Sequence, residues 1–123
     1  MADVERLKST LTSEAAATER RRKVYEEMCS ALRVFIEGHE SSNDAKSRFH
    51  AAYAAAWLWA SDEVLNELNR FIALQRQHAA NRGSVPQEQL KSAYVSTVIA
   101  MRKDAGFPST VVQAAGYQFV QFS

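Results

Sequence analysis

The sequence predicts an all-α fold, an antiparallel helical bundle, and three observations carry that expectation. Twenty of the 123 residues are Ala, the strongest helix former. Four Gly and two Pro leave little material for the tight turns of an all-β fold. Apolar residues recur at intervals of three and four along most of the chain, which is the period of one helical face. At 123 residues the chain fits a single helical domain, 1–123.

The first helix is expected from residue 3 to residue 37, a stretch with neither Gly nor Pro. Val4, Leu7, Leu11, then Tyr25, Met28, Leu32 and Phe35 keep one heptad register, while Glu14, Thr18 and Arg21 hold its middle positions. Two apolar patches are thus joined by a polar stretch. At 1.5 Å per residue such a helix reaches about 50 Å, longer than so small a domain is wide. The first 18 residues are expected either to fray or to serve in an oligomer contact. Gly38 and the polar run through Asp44 end the segment.

The second helix is expected from Asn43 or Asp44 to about residue 80, with Phe49, Tyr53, Trp57, Ala60, Val64, Leu68, Phe71 and Ile72 on its inner face. Ser61 offers a cap for a fresh start, but one continuous helix with a polar notch at Asp62 and Glu63 is the preferred reading. Trp59 stands about 200° around the helix from Trp57, so either the helix is buried on two sides or Trp59 meets a partner chain. Gly83 suits a left-handed position after this helix.

The third helix opens at Ser84-Val85-Pro86-Gln87, a capping-box spacing with Pro in the first turn. Leu90, Tyr94, Thr97, Val98 and Met101 form its inner stripe. Gly106, Phe107 and Pro108 stop it. A short C-terminal helix from Ser109 or Thr110 is the next expectation, followed by an aromatic tail. Residues 117–123 hold Tyr117, Phe119 and Phe122, too apolar to stand in water alone, and are expected as an extended tail packed on the bundle or on a neighbouring chain.

Composition narrows the function classes. Fifteen Lys and Arg against fourteen Asp and Glu give a formal charge of +1, unlike a nucleic-acid coat or a polybasic membrane protein. The longest apolar run, Ala51 to Ala60, is ten residues, half of what a membrane span needs. The charged start has no signal-peptide core, and Cys29 is the one cysteine, so a reducing cytoplasmic setting is expected. His39, His50 and His78 lack the Glu-x-x-His and His-Glu-x-x-His spacings of metal sites, and no phosphate-cradling Gly loop or nucleophile elbow can be written. Neither metal, cofactor nor catalytic set is expected, and the chain reads as no enzyme.

Three groups of residues remain as candidates. Trp59, Tyr117, Phe119 and Phe122 are the expected anchors of a self-association surface, with a dimer as the simplest closure and an unidentified protein partner as the alternative occupant. Asp62 and Arg102 are the expected ion pair between the second and third helices. Arg20, Arg21, Arg22 and Lys23 form the one basic run. It reads either as a solvated helix face paired with Glu19, Glu26 and Glu27, or as a phosphate contact of a nucleic-acid regulator. No part of the chain is strongly basic: residues 1–44 hold seven cations and nine acids. That composition favours the structural reading.

The run Ala56-Trp57-Leu58-Trp59-Ala60-Ser61-Asp62-Glu63-Val64, with Leu68-Asn69-Arg70-Phe71 after it, resembles a pattern of small uncharacterised helical proteins of bacteria and their prophages. Met101-Arg102-Lys103-Asp104-Ala105-Gly106 and Arg20 to Glu27 fit the same layout, so the similarity spans about residues 18 to 107. The resemblance implies a helical fold and brings no activity with it. Those look-alikes that place a membrane helix before this region differ from this sequence. The function expected on all these grounds is a helical interaction or assembly protein that self-associates. The alternative is a prophage-type regulator using Arg20 to Lys23.

Overall fold

In the computed structural model, which describes residues 2–37 and 42–120, the chain is an all-α helical bundle. Four helices follow in order: α1 Ala2–Glu37, α2 Asn43–Trp59, α3 Asp62–Ala80 and α4 Gln87–Asp104, with a 3-10 turn at Ala114–Gly116. Helices α1 and α2 form one antiparallel pair and α3 and α4 a second, and α4 also lies along α1. The expected loop from Gly38 to Ser41 falls outside the described residues, as do His39 and Phe122.

The second helix is two helices. Ser61 takes an extended conformation (φ −69°, ψ 161°), and its Oγ accepts from the Val64 amide at 3.2 Å. Asp62 and Glu63 then occupy the first turn of α3, where carboxylates favour the positive helix end. The continuous reading fails because Ser61 finds a second partner across the bundle. Its amide donates to the Tyr25 hydroxyl at 3.2 Å, so the donor freed at the break is satisfied from α1.

Trp57 also departs from its expected place on the inner face. Trp57 is 55% exposed, whereas Trp59 is half-buried against the core. The inner face of α2 is centred on Ala52 and Ala56, both buried, with Phe49, Tyr53 and Trp59 on its flanks. Trp57 lies about 120° from that centre line and falls off the face. Small residues at the middle let α1 and α2 approach closely. The aromatics close the sides, with Phe35 edge-on to Phe49 at 5.2 Å.

Met28 and Leu32 of α1 meet Val64, Leu68 and Phe71 of α3 and Tyr94 and Met101 of α4 in one buried cluster. Truncating any of these fully buried aliphatics to Ala costs about 2–5 kcal/mol, through lost transfer energy and an unfilled cavity. Thr97 is the buried polar residue among them, and its Oγ1 donates to the Ala93 carbonyl at 2.9 Å. The start of α4 differs from the expected capping box. Pro86 is the cap residue and no side chain caps it, while Ser84 Oγ donates back to Gln77 O at 3.4 Å. Val85 before the cap and Leu90 one turn in are both buried, the spacing of a hydrophobic staple.

Past α4 the expected short helix from Ser109 or Thr110 is absent among the described residues and only the 3-10 turn forms. Thr110 is otherwise engaged, its Oγ1 accepting from Arg102 Nε at 3.0 Å. The chain then returns along α4. Tyr94 meets Tyr117 at 6.0 Å and Phe119 at 6.3 Å between ring centres, and Lys91 Nζ stands 5.0 Å from the Phe119 ring.

Candidate functional site

The basic run of α1 lies where three other helix ends converge. Arg21 Nε donates to the Trp59 carbonyl at 2.9 Å, capping the C-terminal end of α2. Arg22 Nε donates to the Ala105 carbonyl at 2.8 Å and does the same for α4. Arg20 places its guanidinium 5.8 Å from the centre of the Trp59 ring. A cation at the negative end of a helix is favourable, and one donated directly to an orphan carbonyl also satisfies a backbone acceptor. Lys23 is exposed.

Asp104 completes the junction. It accepts from the Tyr25 hydroxyl and lies 3.4 Å from Arg21 Nε. Tyr25 thus relays between two elements, accepting from the Ser61 amide and donating to Asp104. Burial, and next the bond to Asp104, push the Tyr25 phenol up to about 12. The arrangement ties α1, the α2–α3 break and the end of α4 into one network. Sequence reasoning treated Tyr25 as core and missed its hydroxyl. The available signal was Asp104 itself, an acid in the last turn of a helix, where its charge opposes the dipole unless a partner compensates.

Gly106 belongs to the same corner. Its φ of +132° lies in the region that side-chain-bearing residues avoid, and a Cβ there would stand 3.2 Å from Arg22 Nη2. The Phe107 amide donates back to the Arg102 carbonyl at 3.2 Å, the long bond of a Schellman-type ending.

Arg102 does not pair with Asp62. Its Nε serves Thr110, and its guanidinium stacks 4.2 Å from the centre of the Phe107 ring. The cation that meets the start of α3 is the next residue, Lys103, with Nζ 3.5 Å from Glu63 Oε1. The expected pair is off by one residue on each helix, because one residue on an α-helix is a turn of about 100°.

Beside this junction a groove of about 820 Å³ runs between α1 and α4, with Cys29, Val98 and Met101 at its base and Arg22, Arg33 and Arg102 along it. The Cys29 thiol faces Met101 Sδ at 3.6 Å. Burial, and next the nearby Glu26 carboxylate, raise the thiol to about 11, so it holds its proton at neutral pH. Arg102 also lines a second groove of about 600 Å³ against Val112 and Tyr117, and Asp62 lines neither. Among the described residues no three His, Cys, Asp or Glu side chains gather to hold a metal ion, His50 is exposed and His78 half-buried. Among the described residues no helix is long and apolar enough to cross a membrane.

Of the expected interface anchors, Trp59 and Phe119 pack on the chain's own core and Tyr117 is 42% exposed beside them. An uncovered apolar stripe lies elsewhere. Residues 2–16 of α1 are exposed throughout, and Val4, Leu7 and Leu11 are 56%, 60% and 55% accessible. At the root of this overhang, on α2, Leu58 is 81% exposed. No family model, curated protein or solved structure matches the chain.

Proposed function

We propose that this protein is a non-enzymatic helical assembly module that associates with itself through the first half of α1. The observation that carries the reading is that one heptad register of α1 holds two apolar patches, one covered and one bare. From Tyr25 to Leu32 the seam is buried beneath the other helices, and from Val4 to Leu11 the same helix face is bare. An isolated polar-faced helix of about 15 residues is marginal in water, and a second copy gives its apolar stripe somewhere to go. The non-enzymatic part of the reading is supported by the chemistry of the buried groups. The Cys29 thiol and the Tyr25 phenol, raised to about 11 and about 12, are neither nucleophile nor base at neutral pH. The one cysteine, unpaired, suits a reducing cytoplasm.

The test is the solution mass by light scattering on a sizing column. The wild-type chain is expected at about twice its 13.8 kDa, and Leu7→Glu with Leu11→Glu at the single-chain mass. A wild-type chain that stays at the single mass across concentration overturns the reading.

A further inference from the structure

Resting on that reading, we infer that the two copies pair their α1 overhangs antiparallel, with Leu7 of each against the partner's Leu11 and the two bundles at opposite ends. The direction follows from what already covers the rest of the seam. Beyond Arg21 the heptad face of α1 is filled by the chain's own α2 and α4, with Tyr25, Met28 and Leu32 buried there. A second α1 laid parallel and in register would have to run, after its first 20 residues, through the space those helices occupy. Laid antiparallel, it ends before reaching them.

Charge at the helix flanks does not choose the direction by itself. Asp3 and Lys8 border the seam at the spacing that also suits a parallel pair. Electrostatics at the ends do discriminate. With Leu7 opposite the partner's Leu11, the partner's Asp3 and Glu5 stand level with Ala15 and Ser13, between one and two helical turns short of Arg20. That acidic first turn faces the basic run Arg20 to Lys23. The carbonyl ends of α2 and α4 sit at that same level, fixed by Arg21 and Arg22. A helix start meeting two helix ends aligns their dipoles head to tail. The arrangement is isologous and closed, so it stops at two copies.

The experiment uses the full chain with Cys29→Ala, carrying either Leu7→Cys or Leu11→Cys. Each is oxidised alone and as an equal mixture, and read by non-reducing gel. Antiparallel pairing gives a disulfide dimer in the mixture and none from either variant alone, because like positions lie beyond the reach of a disulfide. Circular dichroism confirms that each variant keeps its helices. Crosslinking of either variant alone means a parallel pair and overturns the inference. A wild-type dimer by light scattering with no crosslink in the mixture overturns it too, while leaving self-association standing. A monomeric wild-type chain removes both.

Discussion

At the scale of single residues, the Tyr25 hydroxyl does work that its neighbours cannot share. It holds the Ser61 amide and the Asp104 carboxylate at once, joining three segments far apart in the chain. Because its folded pKa is raised from 10.0 to about 12, the folded state favours the protonated phenol. The stability this confers is complete below pH 10 and is lost as pH rises through 10 to 12. Tyr25→Phe is therefore expected to unfold at lower urea at pH 7, by about 1–3 kcal/mol for the stranded partners. It should then lose less than wild type between pH 10 and 12. Burial also raises Cys29 and Tyr94, and these supply the slope that remains in the variant. Parallel wild-type and variant curves across that range would show that the phenol is not the titrating group. Asp104 was legible as a charge in the sequence, but its partners were not. Arg21 and Tyr25 lie about 80 positions away, and no local pattern encodes a contact at that separation.

At the scale of elements, the break at Ser61 decides how the molecule is put together. A single helix from Asn43 to Ala80 could not lay one half along α1 and the other along α4. The cap is the local device that permits the turn. Ser61→Ala should cost about 1 kcal/mol in urea unfolding, and Ser61→Gly only a few tenths, since Gly tolerates the extended cap. Equal losses for the two would point to a role for Ser61 beyond its cap. The sequence did offer this signal, a Ser followed by two acids. It was outweighed by the unbroken apolar period from Phe49 to Ile72, which is compatible with one helix or two. The same ambiguity misplaced Trp57. Periodicity ranks residues by hydrophobicity, and it placed Trp57 on the inner face when packing against α1 demanded Ala52 and Ala56.

At the scale of the whole molecule, the bundle and the overhang are separable. Residues 2–16 contribute no buried side chain, so a chain beginning at Ala17 is expected to unfold at the same midpoint as the Leu7→Glu, Leu11→Glu variant and to run at single-chain mass. A large drop in its unfolding midpoint would mean that the overhang supports the bundle directly. The sequence by itself determined the helical class, the apolar stripe at the start of α1 and the positive-φ Gly83 and Gly106, and it left open whether the aromatic tail packs on its own bundle or on a neighbour. These are consequences of period, propensity and turn chemistry, which act over a few residues. Only the tertiary structure decided the rest. It set which tryptophan is inside, that Lys103 rather than Arg102 reaches α3, and that Arg21 and Arg22 serve helix ends of their own chain. Each of these depends on the rotation of one helix about its axis relative to another. That angle is fixed by close packing of the whole core and is written in no single segment.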